Sequence, residues 1–125
     1  MQRKTQQRQA IQRALETAAR PLSPQEILDA AGSAAPGLGI ATVYRTIRGF
    51  LDEGRLHAVE LPGAPARYEL AGKHHHHHFH CRQCDGVFEI EHCPGNFADL
   101  APSGFLAERH EIILYGLCRS CVALG

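Results

Sequence analysis

The chain has 125 residues, 44% of them hydrophobic, with 13 Lys or Arg balanced by 13 Asp or Glu. That length holds one ordinary domain or two small ones, and the apolar fraction excludes a disordered chain. No apolar run nears the ~20 residues of a membrane span, and the opening MQRKTQQRQAIQRAL lacks an apolar secretory core, so a cytoplasmic protein without membrane contact is expected.

The zero net charge hides an uneven distribution. Residues 1–20 carry Arg3, Lys4, Arg8, Arg13 and Arg20 against Glu16 alone, whereas residues 73–125 carry four Lys or Arg against six Asp or Glu. A basic end on a mildly acidic half suits a chain that meets phosphate with one part only.

Ile11, Ala14, Leu15 and Ala18 recur at helical spacing and predict a first helix starting near Thr5. Ser23-Pro24-Gln25-Glu26 is a capping box with proline at the first helical position. The second helix it opens buries Ile27 and Leu28 and stops at Gly32. After the turn-rich Ser33–Gly39, a third helix runs from Ile40 to a stop at Gly54. At about 100° per residue, Ile40, Val43, Ile47, Phe50 and Leu51 share one face. Thr42, Arg45, Arg48 and Gly49 fall on the other, with Tyr44 at the border.

Strands at Leu56–Leu61 and Ala66–Leu70 flank the turn Pro62-Gly63-Ala64-Pro65. Three helices backed by a hairpin read as a winged helix-turn-helix over residues 1–72, with Ala71-Gly72 as the hinge. Residues 73–125 read as short strands, Val87–Glu91 among them, around His and Cys clusters, with one helix near Asn96–Ala101. The expected class is α+β.

Five cysteines without a secretory signal point to metal or redox chemistry rather than disulfides. Cys81-x-x-Cys84 and Cys118-x-x-Cys121 each offer two thiolates from one turn, and two such turns complete the tetrahedron that zinc prefers. A closed four-sulfur shell is structural rather than catalytic. The redox alternative lacks a thioredoxin-like βαβ context. The site should clamp the Cys81 turn to a C-terminal strand. Cys93 is left over, either a small semi-buried residue in the Cys93-Pro94-Gly95 turn or a ligand.

The run His74-His75-His76-His77-His78-Phe79-His80 is internal, unlike a purification tag, and flows into the Cys81 turn. A solvated histidine strand without ligands is the bland alternative. On a strand, His76 and His78 face one way and His75 and His77 the other, about 6.6 Å apart at Cα within each pair. One strand can thus serve two metal sites. On the first face, His57 and Glu69 stand opposite each other at the base of the hairpin, and Glu89 adds a carboxylate. His57, Glu69, His76, His78 and Glu89 then form a regulatory site drawn from both halves. On the second face, His75 and His77 meet His110, with the fourth ligand open.

These residues resemble the ferric uptake regulator family of iron, zinc, manganese, nickel and peroxide sensors. The resemblance spans nearly the whole chain. It rests on Arg3-x-Thr5-x-x-Arg8, Gly39-Ile40-Ala41-Thr42-Val43-Tyr44-Arg45, His75–His78 before Cys81-x-x-Cys84, and Tyr115-Gly116-Leu117-Cys118-x-x-Cys121. It implies a homodimeric winged-helix repressor that binds an AT-rich palindromic operator in duplex DNA when a corepressor metal is bound. The second half is then a small α/β dimerisation domain with a structural four-cysteine zinc. Glu69, His76, His78 and Glu89 match the family's regulatory ligands, His57 a position used in zinc sensors, and His75, His77 and His110 its secondary site. The third helix enters the major groove, with Tyr44 near base edges, Arg45 near phosphate, and Thr42 and Arg48 on the same DNA-facing side.

Some positions depart from the family pattern. Pro21 stands where iron and peroxide sensors commonly offer a histidine, and Ala71 where zinc sensors often have a cysteine. The stretch between Cys84 and His110 is short and leaves Asn96 where the secondary site usually has an acid, with Glu91 as a substitute. Glu89 replaces the aspartate of peroxide sensors. Using His57 in place of the missing histidine favours zinc as the regulatory ion over iron(II) or manganese. An enzyme is not expected, since no H-E-x-x-H or comparable catalytic arrangement is present. A metal-storage or chaperone protein explains the histidines but not Thr42-Val43-Tyr44-Arg45.

Overall fold

The computed structural model describes residues 2–73, 75–95 and 97–124, without the side chains of Gln2 and Arg3. His74, Asn96 and the side chain of Arg3, all used in the sequence reading, lie outside the described residues. The element order is α1 (Gln2–Ala18), α2 (Pro24–Ala31), α3 (Ile40–Asp52), β1 (Leu56–Leu61), β2 (Ala64–Leu70), β3 (His77–Cys81), β4 (Val87–Ile90), β5 (Ile113–Gly116) and α4 (Arg119–Leu124). A 3-10 helix, Phe97–Leu100, lies between β4 and β5. The fold is α+β, in two compact units, Met1–Lys73 and His74–Gly125. Among the described residues no helix is long and apolar enough to cross a membrane.

In the first unit, α1 begins three residues earlier than Thr5, because Gln2, Arg3 and Lys4 are themselves good helix formers. The α2 capping box closes both ways: the Ser23 hydroxyl accepts from the Glu26 N–H at 3.1 Å, and the Glu26 carboxylate accepts from the Ser23 N–H at 2.9 Å. Gly32 caps α2 in a right-handed conformation, and the left-handed turn comes later, at Gly37.

Helix α3 buries Val43, Thr46, Ile47 and Phe50. Ile40 and Leu51, expected on that face, are 38% and 36% exposed, since they stand in the end turns where the stripe runs off the core. Phe50 is covered by the guanidinium groups of Arg8 and Arg55, 4.8 and 4.3 Å from its ring centre. Ile11, Leu15, Leu22, Ile27, Val43, Ile47, Phe50 and Leu56 belong to one buried cluster.

Strand β2 starts at Ala64, two residues earlier than expected, because Leu61 pairs with Ala64 and Pro62-Gly63 alone makes the turn. Gly63 has φ +72° there, a conformation that favours glycine. Leu22 and Tyr68 exchange backbone hydrogen bonds of 2.9 and 2.8 Å, tying the α1–α2 connection to β2.

The second unit is a three-stranded sheet in the order β4-β3-β5, with β3–β4 antiparallel and β3–β5 parallel. Parallel β3 and β5 need a return run between them; β4 makes that run, and residues 91–112 then cross from β4 to β5 beside the start of β3. The helix expected near Asn96–Ala101 is this crossover's 3-10 turn. Cys118 and Cys121 do not lie on the C-terminal strand that the sequence led us to expect. Cys118 immediately precedes α4, where its carbonyl accepts from the Val122 N–H at 2.9 Å, and Cys121 lies in the helix's first turn.

Candidate metal centres and an exposed helix face

Cys81 ends β3, Cys84 follows in the tight turn that leads to β4, and Cys118 and Cys121 come from the start of α4. Their four sulfurs all lie within 4.8 Å of one another. The Cys84 and Cys118 sulfurs are 3.8 Å apart, the edge expected of a tetrahedron with Zn–S bonds of about 2.3 Å. The residues present therefore fit a four-thiolate zinc. Cys81 and Cys121 are buried and Cys84 is exposed.

Backbone groups prepare this shell. The N–H groups of Cys118 and Cys84 point at the Cys81 sulfur, 3.4 and 3.5 Å away, and these bonds hold the Cys81 thiol down at about 5. Burial, followed by the neighbouring sulfurs, pushes Cys121 up to about 12. At Cys84 the Gly86 N–H favours the thiolate, yet burial and the adjoining Cys81 and Cys118 sulfurs leave the thiol raised. With Cys84 and Cys121 raised, a nearby cation is what would draw both into their thiolate forms.

The second cluster joins His75, His77, Cys93 and His110, with one donor atom of each within 4.8 Å of all the others. His77 Nε2 lies 3.1 Å from His75 Nε2 and 3.4 Å from the Cys93 sulfur, and that sulfur lies 3.3 Å from His110 Nε2. His77 is 2% exposed. Burial, reinforced by the surrounding imidazoles, lowers its tendency to protonate, which suits a ligand. The Ile112 N–H donates to His77 Nδ1 at 3.1 Å. That bond places the imidazole ring proton on Nε2; an ion held at Nε2 would require the proton on Nδ1 instead, at the cost of the Ile112 contact. The Phe97 ring packs edge-on against His110, with centres 4.9 Å apart.

Cys93 is the residue that sequence reasoning left open between turn and ligand. Glu91, the carboxylate considered for this position, is exposed and outside the cluster. The antiparallel register places His77 opposite Ile90. Continued past the end of β4, that register would put His92 rather than Cys93 opposite His75; the chain leaves the strand after Ile90, and no sequence signal marked Cys93 as the partner.

On the other side of β3, the His76 and His78 rings stand 4.9 Å apart, and Glu89 is the cross-strand partner of His78. In the first unit, His57 pairs with Glu69 across the hairpin. Glu69 is 2% exposed and lies 3.9 Å from the Lys73 ammonium, whereas His57 is exposed. His80, unassigned from sequence, lies 2.6 Å from the Asp85 carboxylate.

The outer side of α3 carries exposed Tyr44, Arg45 and Arg48 and half-buried Thr42. Arg45 donates to the Thr42 hydroxyl at 2.9 Å. Tyr44 is 55% exposed, so its ring is not packing material at the helix border.

Helices followed by a hairpin, then a sheet that gathers cysteines and histidines, define a metal-binding regulator class. The sequence pattern of the Ferric uptake regulator family matches residues 2–115, and the chain belongs to that family of metal-responsive transcriptional regulators, which are not enzymes. It is 32% identical over 122 residues to the ferric uptake regulation protein of Campylobacter jejuni, covering 94% of this chain and 78% of that protein. A solved zinc-bound manganese uptake regulator superposes with a TM-score of 0.77 at 27% identity, covering 90% of this chain and 87% of that one. FurB of Mycobacterium tuberculosis, described as a zinc uptake regulator, is 31% identical with a TM-score of 0.52, covering 95% of each chain.

Proposed function

We propose that the chain is a repressor that binds operator DNA as a homodimer when a regulatory divalent ion, zinc, is bound. The supporting observation is that one member of this family carries both an exposed polar face on α3 and gathered soft and imidazole ligands in its second unit. In this reading α1–α3 and the β1–β2 hairpin are a winged helix-turn-helix. Tyr44 meets base edges, Arg45 a phosphate, and Thr42 and Arg48 the same groove. The four-cysteine site is a structural zinc. His57, Glu69, His76, His78 and Glu89 are the regulatory ligands.

Zinc is preferred because imidazole and carboxylate suit it and because Pro21 supplies no ligand where iron sensors commonly have one. Regulation by iron(II) is the second reading, favoured by the likeness to the Campylobacter jejuni protein named for ferric uptake. A storage role leaves the exposed α3 face without a purpose. Gel shifts against duplexes selected from a random library, with zinc, iron(II), manganese(II) or chelator, test the proposal. A metal-dependent shift, strongest with zinc, is expected; DNA binding by none of these forms rejects it.

A further inference from the structure

The cluster His75–His77–Cys93–His110 differs in kind from a site of imidazoles and carboxylates, because one of its converging atoms is sulfur. Three imidazoles and a thiolate are four ligands, and the three separations of 3.1, 3.4 and 3.3 Å are close to the edges of a tetrahedron with metal–ligand bonds near 2.0–2.3 Å. We propose that these four residues form a closed three-imidazole, one-thiolate site, and that Cys93 makes it selective for zinc over the harder manganese(II) and iron(II). The inference rests on the reading of the chain as a metal-binding regulator, and it adds the ligand and the selectivity of this site.

Chemistry and topology both support it. Thiolate is a soft donor that favours zinc, whereas a carboxylate in the same place favours manganese or magnesium. The site lies wholly in the second unit and fastens both ends of the β4–β5 crossover, since Cys93 follows β4 and His110 precedes β5. In the single chain, Leu100, Phe105 and Leu106 of that connection are 78%, 71% and 83% exposed. A metal joining Cys93 to His110 adds a restraint on that connection. Three histidines and a cysteine leave no open position, so the ion is held rather than used for chemistry.

Cobalt(II) spectroscopy of the full-length chain tests this directly. The four-cysteine site is first filled with zinc, its retention is checked by elemental analysis, and cobalt(II) is then added. The imidazole and carboxylate groups elsewhere contain no sulfur, so thiolate-to-cobalt charge-transfer absorption then reports Cys93 alone. The expected result is that this absorption appears in the wild type, is absent in Cys93→Ser, and is abolished by added zinc but not by equimolar manganese(II). In Cys93→Asp, manganese(II) should compete with zinc at least ~10-fold better than in the wild type, because even outer-shell partners are worth that much to a metal. Bound cobalt without charge-transfer absorption in the wild type overturns the ligand, a reading that needs no variant to fold. An unchanged zinc-to-manganese preference in Cys93→Asp overturns the selectivity. DNA affinity is not read in either case, so failure here leaves metal-dependent repression standing.

Discussion

Single side chains decide what the two clusters can hold. At Cys81 the thiolate is stabilised by backbone donors to about 5, while Cys84 is raised and Cys121 is pushed up to about 12. At pH 7 the metal-free site therefore holds protons on Cys84 and Cys121 that zinc must expel. Zinc uptake should release protons, and affinity should fall as the pH falls, more steeply below about 5 where Cys81 also binds one. A pH indicator in weakly buffered solution reads this; uptake without acidification contradicts the thiolate shell. In the proposed reading Cys84→Ser should lose the four-cysteine zinc and the dimer together, and a zinc-replete dimer of that variant, by elemental analysis and sedimentation, counts against the staple. At Arg45 the expected role is a phosphate contact. Arg45→Ala should weaken binding to all duplexes alike and reduce the salt slope by about one, whereas loss at one base position only assigns it to base reading.

Elements show how far local pattern reaches. The capping box of α2 was legible because Ser23, Pro24 and Glu26 act within one turn, and both of its hydrogen bonds form. Ser23→Ala should cost about 1 kcal/mol, visible as a lower urea midpoint at unchanged slope; an unmoved midpoint contradicts a stabilising cap. The apolar stripe of α3 was legible at its centre, in Val43, Ile47 and Phe50, but not at its ends. Burial of Ile40 and Leu51 depends on what lies beyond the helix, which periodicity does not carry. The two C-x-x-C pairs stand out for the same reason as the cap, since each bites from a single turn. Cys93 was not assigned because its partners are 16 and 17 residues away, and it lies past the end of β4, where strand pairing no longer fixes its side. The parallel pairing of β3 with β5 and the helical start at Cys118 are likewise tertiary outcomes, without a marker in the strand-like sequence before them.

At the scale of the whole molecule, the proposed reading puts DNA binding in one compact unit and most metal ligands in the other, so repression in that reading requires a ligand set that couples them. In the proposed reading His76 and His78, adjacent on one side of β3 with Glu89 opposite His78, act with Glu69 and His57 of the first unit's hairpin. His76→Ala should keep its four-cysteine zinc yet lose metal-triggered DNA binding, with elemental analysis and gel shifts read on the same sample. Coupling of two sites is reciprocal and usually amounts to about 5–150-fold. The most direct measurement is the dissociation constant for a selected duplex across a range of free zinc, with the four-cysteine site kept full throughout. The expected result is a rise in DNA affinity within that range as the regulatory ligands fill, mirrored by an equal rise in zinc affinity when DNA is present. An affinity for DNA that stays constant from chelated to zinc-saturated protein, and stays constant with iron(II) and manganese(II), contradicts a metal-operated repressor.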